Sequence, residues 1–130
     1  MNKIHKINKK LPPIATLNSK NLLSIEGMNK LEINSLLDRA DYFADLDPLK
    51  IIKTLNGYVI LNVFFENSTR TRVSFELAGR RLGAEVINIS VDKSSIKKGE
   101  SLLDTANTLS AMKPNFCLLY TSDAADDLWC

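Results

Sequence analysis

Five consecutive residues, Ser68-Thr69-Arg70-Thr71-Arg72, bring together three hydroxyls and two guanidinium groups. Guanidinium forks match the paired oxygens of a phosphate or carboxylate, and hydroxyls add short donors, so the chemistry of this set is capture of an anion. It is not a Walker A loop, because the glycine-rich cradle and its lysine are absent, and it is not a dinucleotide fingerprint.

The elements around these residues explain how they would be aimed. Tyr58–Phe65 is short, rich in β-branched and aromatic residues and lacks polar alternation, which predicts a strand buried on both faces. From Val73 the residues Leu77, Ala78, Arg81 and Leu82 recur at helical spacing up to Gly83, a suitable C′ residue. The five-residue set therefore sits between the end of a strand and the start of a helix. Ligands of parallel sheets bind at that edge, and a helix start offers unpaired N–H groups and partial positive charge. Serine and threonine are ordinary N-caps there. Arginine is not, since a cation in the first turn opposes the helix dipole at a cost of roughly 0.3–1 kcal/mol. Two arginines at such a tip make sense when an anion occupies it. The competing reading pairs Arg72 with Glu76 at i,i+4 on a solvated face.

The flanking chain continues the alternation. Residues 1–20 are polar and basic, contain Pro12-Pro13 and read as a loose extension. Residues 29–46 carry Leu31, Ile33, Leu36, Leu37, Ala40, Phe43 and Ala44 on one broad helical face, closed by Asp47-Pro48. A second short helical stretch is expected at Leu49–Leu55, then a turn at Asn56-Gly57. Glu85–Ser90 predicts another strand and residues 92–100 a polar loop. Ser101 with Asp104 has capping-box spacing, opening a helix with Leu102, Thr105, Ala106 and Leu109 on one side. Pro114 ends it, and a third strand starts near Phe116. The order helix, strand, helix, strand, helix, strand predicts an α/β fold with a parallel sheet and flanking helices.

Composition bounds the function. The chain has 130 residues and a formal net charge of +2, too small to argue for nucleic acid or membrane as partner. Without residues 117–130, which hold Asp123, Asp126 and Asp127 and no base, the excess of basic side chains is 5. That fits a small anionic ligand or simply a solvated basic face. Cys117 and Cys130 make neither a disulfide framework nor a metal site. No signal-peptide h-region follows the basic start, and the longest apolar run, broken by Asn62, is too short to span a bilayer. A soluble, cytoplasmic protein is expected.

Phe64 through Glu76, reading FFENSTRTRVSFE, closely resembles the carbamoyl-phosphate signature of the transcarbamylases. The resemblance implies that Ser68, Thr69, Arg70 and Thr71 contact carbamoyl phosphate. Arg70 would bind phosphate oxygens, and Thr71 would reach both phosphate and carbonyl oxygen. Arg72 and Glu76 would act as structural support. Asn67 departs from the proline that many members carry. Asn21–Ile25 and the helix containing Leu36–Ala40 are similar to the family's opening segment, so the resemblance covers roughly residues 18–116, with residues 21–116 as a partial carbamoyl-phosphate-binding domain.

Ser94-Ser95-Ile96-Lys97-Lys98-Gly99-Glu100 alone reads as a solvated loop. Beside the first motif, Lys98-Gly99-Glu100-Ser101-Leu102-Leu103-Asp104-Thr105 resembles the aspartate branch of the family. In that branch the loop reaches the active site of a neighbouring subunit. Lys98 would neutralise bound substrates, aspartate included, and Ser94 or Ser95 would contact phosphate, with Ser95 preferred. From Cys117 the sequence instead resembles a translated sequencing-library adapter, so residues 117–130 are expected to be a non-native tail.

The resemblance implies transfer of a carbamoyl group from carbamoyl phosphate to L-aspartate, a step of pyrimidine biosynthesis. It implies Arg70, Thr71 and Lys98 as catalytic groups, no metal or organic cofactor, and a homotrimer with shared sites. The family's later arginine, its catalytic histidine and its second domain have no counterpart here. His5 matches none of them, so this chain is expected to be inactive alone. The alternatives are an ornithine carbamoyltransferase and a non-catalytic phosphate- or anion-binding domain.

Overall fold

The structure, a computed structural model, describes residues 10–91 and 101–121. The chain forms two compact units, Met1–Lys50 and Ile51–Cys130.

In the first unit, helix α1 spans Lys30–Asp45. Its start is closed by a capping box: Asn29 accepts from the N–H groups of Leu31 and Glu32, and Glu32 accepts from the N–H of Asn29 at 2.8 Å. The other Glu32 oxygen accepts from the N–H of Asn18 at 2.7 Å, which fastens that point of the preceding chain to α1. A 3₁₀ turn at Pro48–Lys50 follows. The helix expected over Leu49–Leu55 does not form beyond it. Asp47 accepts from the N–H of Leu49, and the chain then turns at residues 54–57, where Gly57 takes φ +82°. The broad apolar face expected of α1 is also corrected: Leu31, Leu37 and Phe43 are exposed, while Glu32 and Ser35 are buried. The hydrogen bonds that Glu32 accepts turn that side inward.

In the second unit, strands β1 (Val59–Phe64), β2 (Glu85–Ser90) and β3 (Phe116–Tyr120) form a parallel sheet in the order β2-β1-β3. Helix α2 (Thr69–Arg81) joins β1 to β2, and helix α3 (Leu102–Ala111) precedes β3. β3 runs through Cys117–Tyr120 in register with Leu61–Phe64, so the strand itself crosses residue 117.

Successive strand residues face opposite ways, and this separates the layers. Leu61 and Val63 pack with Leu109 of α3 on one face. Ile60 and Val86 face α2 on the other, where a Cβ on Gly79 would lie 2.7 Å from Val86 Cγ2 and 3.1 Å from Ile60 Cδ1. Central β1 is thus covered on both sides, as its continuous apolar run predicted, and Leu61, Asn62, Val63 and Phe64 are all buried.

Local chemistry closes the helices. Gly83, at C′ of α2, takes φ +89°. Ser101 and Asp104 make the predicted capping box on α3. The side chain and N–H of Ser101 hydrogen-bond Asp104 and hold its carboxyl below its usual value of 3.8. No helix among the described residues is long and apolar enough to cross a membrane.

Gly79→Ala should destabilise the second unit. Overpacking against buried Val86 and half-buried Ile60 costs roughly 1–3 kcal/mol, and the helix gain of alanine over glycine returns about 1 kcal/mol at most. A lower urea midpoint at unchanged slope is the expected reading. Acid should also weaken α3. A carboxyl with a depressed folded pKa contributes stability that is complete above its unfolded value and is lost as pH falls through the folded one. Asp104→Asn should therefore be less stable than the parent at pH 7, with the gap closing below about pH 3.8 in urea titrations across acid pH.

Candidate functional site: the tip of helix α2

All three strands end on one edge of the sheet. There the N–H of Phe65 donates to the Tyr120 carbonyl at 2.9 Å and the N–H of Val91 to the Phe64 carbonyl at 2.8 Å. Central β1 has α2 on one face and α3 on the other, so the strand order reverses beside it, which is the usual ligand crevice of an open α/β sheet. Residues 65–68 cross this edge and deliver Ser68 to the N-cap of α2.

The tip of α2 is built unlike those of the other two α-helices among the described residues. In α1 and α3 the third helical residue is an acid, Glu32 or Asp104, that reaches back to the cap. In α2 that position is Thr71. Ser68 makes no side-chain bond to the helix backbone; its Oγ donates to Thr71 Oγ1 at 2.8 Å. Two consequences follow. Thr71 keeps its own hydroxyl proton for another acceptor. The N–H groups of Thr69, Arg70 and Thr71 also find no acceptor among the described residues. The first turn contains no acid, whereas Arg70 and Arg72 both lie in it.

Neither guanidinium makes a hydrogen bond or ion pair among the described residues, and Arg70 is exposed while Arg72, Ser68 and Thr71 are half-buried. The alternative pairing of Arg72 with Glu76 does not occur. Glu76 instead accepts from Arg80 Nε at 3.0 Å and from Asn88 Nδ2 at 2.6 Å. These bonds, that from Asn88 foremost, with Arg80 and Arg72 adding positive charge, hold the Glu76 carboxyl below its usual 4.5. The structure therefore gathers Ser68, Thr69, Arg70 and Thr71 around one electropositive tip with open donors, an arrangement suited to a tetrahedral oxyanion. Ser94, Ser95 and Lys98 lie outside the described residues. The described chain stops at Val91, just after β2, and resumes at Ser101.

Sequence reasoning missed Asn62 and Asn88. Asn62 had been noted only as an interruption of an apolar run, yet it is fully buried and its Nδ2 donates to Asn88 Oδ1 at 3.1 Å. The available signal was positional: each asparagine is the fourth residue of its strand, and parallel register sets them side by side.

Comparison with known proteins agrees with this geometry. Residues 20–128 match the family model for the carbamoyl-P binding domain of aspartate/ornithine carbamoyltransferase, a match that also takes in most of residues 117–130. The chain is 54% identical over 106 residues to the aspartate carbamoyltransferase catalytic subunit of Dinoroseobacter shibae, covering 80% of this chain and 34% of that protein. Among solved structures it resembles the aspartate transcarbamoylase of Trypanosoma cruzi in complex with carbamoyl phosphate and aspartate. That likeness has a TM-score of 0.70 and 36% identity over 85% of this chain and 34% of that one. It also resembles the aspartate transcarbamoylase catalytic subunit of M. jannaschii, with a TM-score of 0.67 and 41% identity over 81% of this chain and 36% of that one. The chain spans about a third of the length of the curated relatives it matches. With the signature residues at a bare helix tip on the carboxyl edge of a parallel sheet, and with this match over most of its length, the chain belongs to the aspartate/ornithine carbamoyltransferase family, in its carbamoyl-phosphate-binding domain.

Proposed function

We propose that the tip of α2 binds carbamoyl phosphate, and that the chain is the carbamoyl-phosphate-binding part of an aspartate carbamoyltransferase. The observation that carries this reading is the N-terminus of α2: open N–H groups, no acid and two arginines, where the other two α-helices among the described residues close their tips with a carboxylate. The aspartate carbamoyltransferase names of the curated relatives favour aspartate over ornithine as second substrate.

In the whole enzyme the α-amine of L-aspartate attacks the carbonyl carbon. The carbon–oxygen bond to phosphate breaks, the amine loses a proton, and N-carbamoyl-L-aspartate and phosphate leave. Negative charge grows on the carbonyl oxygen and on the departing phosphate. Arg70 and the N–H groups of the first turn meet the phosphate, with Ser68, Thr69 and Ser95 as further donors. Thr71 serves phosphate and carbonyl oxygen together. Lys98, from a neighbouring subunit of a homotrimer, neutralises the substrates and reaches the aspartate. Such catalysis rests on positioning and electrostatic preorganisation. The protein works in the cytoplasm, and residues 117–130 are a foreign tail whose first residues, Cys117–Tyr120, complete β3 in place of the native ones, which reading the source DNA past codon 116 checks.

Calorimetry on the chain should show carbamoyl phosphate binding in preference to inorganic phosphate, with both lost in Arg70→Ala; equal binding of the two would leave only a generic anion site. In the chain extended by its native downstream sequence, Arg70→Ala should cost at least about 100-fold in turnover, on the scale of removing one preorganised donor. Retained turnover would overturn the assignment. Mixing Arg70→Ala subunits with Lys98→Ala subunits should restore part of the activity, since some sites would then draw both intact residues from different chains. Well-formed mixed trimers without recovery would exclude shared sites.

A further inference from the structure

We infer that Glu76, through Asn88, is a positioning residue that sets the seat of α2 on the sheet and thereby the aim of the Ser68–Arg72 tip. This deepens the anion-site reading and rests on it for its functional consequence.

A chain of side-chain hydrogen bonds runs from the centre of the sheet into the middle of α2. Asn62, 0% exposed on β1, donates to Asn88 on β2, and Asn88 donates to Glu76 on α2 at 2.6 Å. The orientation of the whole chain is set at its far end. A carboxylate only accepts, so Glu76 obliges Asn88 to present its NH₂, which turns the Asn88 oxygen towards Asn62. Asn62 pays for its place, because its Oδ1 is buried with no partner among the described residues. An unsatisfied buried acceptor costs roughly 1–3 kcal/mol, whereas an aliphatic side chain on this covered strand would cost nothing of the kind. Stability alone does not favour an amide there; a directional tie between sheet and helix does.

Glu76 and Gly79 stand one helical turn apart on the side of α2 that meets the sheet. Close packing at Gly79 sets how near the helix lies, but apolar contact is non-directional and leaves rotation and sliding weakly determined. The Glu76–Asn88 bond is directional and charge-assisted, and it fixes both. Thr69 lies about 10 Å along the axis from Glu76, so a small change in the seat moves the tip as a unit. Displacements near 1 Å in such a site cost about 100-fold in function. Arg80 also binds Glu76, but at 61% side-chain exposure on the solvent side it contributes little to the seat.

The test uses the full chain, labelled with nitrogen-15, and four variants: Glu76→Ala, Glu76→Gln, Asn88→Ala and Arg80→Ala. Asn88 lies exposed on an edge strand, so its truncation should leave the fold intact. In Asn88→Ala and Glu76→Ala the amide resonances of Ser68–Arg72 should shift or broaden, and inorganic phosphate should bind at least tenfold more weakly at temperatures where the variants remain folded. Glu76→Gln, whose amide oxygen still accepts from Asn88, should restore both readouts, and Arg80→Ala should change neither. Tip resonances that stay in place in folded Asn88→Ala overturn the inference, as does an equal displacement in Arg80→Ala. If the tip moves but the parent chain itself fails to bind phosphate, the anion-site reading falls and the positioning role stands.

Discussion

A helix start leaves backbone N–H groups that something must satisfy, and the second unit is arranged around one start that the protein leaves open. The capping boxes of α1 and α3 show that this chain has the ordinary solution to hand: an acid at the third helical position, folded back on the cap. At α2 the same position holds Thr71, paired with Ser68 through their hydroxyls. That neutral pair occupies the two positions of a capping box without bonding to the helix backbone or cancelling the dipole. Arg70 and Arg72 then add to the positive potential instead of relieving it. The arrangement is unfavourable for an empty helix and favourable for one that holds an oxyanion.

The strand before it and the sheet around it supply what such a tip needs. β1 is central, buried on both faces and hydrogen-bonded along its length to both neighbours, so its carboxyl end is as firmly held as any point in the unit. Phe64 stacks at a tilt on Tyr120 at 5.4 Å, tying β1 to β3 at that edge. A site that acts by fixed dipoles gains only if those dipoles do not reorganise, which is a demand on the scaffold more than on the ligating residues.

Features encoded within a few residues were legible in the sequence. Asn56-Gly57, Gly83 and Ser101 with Asp104 each act within a few residues of themselves, and each forms the turn, C-terminus or cap expected of it. The parallel sheet followed from the alternation of periods, and the position of the Ser68–Arg72 set between strand and helix followed with it. What failed depended on partners elsewhere. The helical pattern at Leu49–Leu55 gave way to an Asp47 side-chain turn and a 3₁₀ segment. The spacing of Leu31, Leu37 and Phe43 identified a face of α1 but not what would cover it. The network of Asn62, Asn88 and Glu76 joins residues 26 and 12 positions apart and has no periodicity at all. Only register reveals it.

The two arginines of the motif look equivalent in sequence and are not equivalent in the fold. Arg70 is exposed at the second helical position. Arg72 is half-buried at the fourth, one turn from Glu76, close enough to lower that carboxyl's affinity for protons without bonding to it. One cation is therefore exposed at the tip, while the other lies back along the helix and is itself offset by the acid that seats it. An acid moved five residues forward, to the place Thr71 holds, would close the tip and neutralise it. Placed at Glu76, it offsets part of the repulsion between cation and dipole, leaves the open donors untouched and fastens the helix to the sheet. The position of that single carboxylate reconciles a stable α2 with an electropositive end.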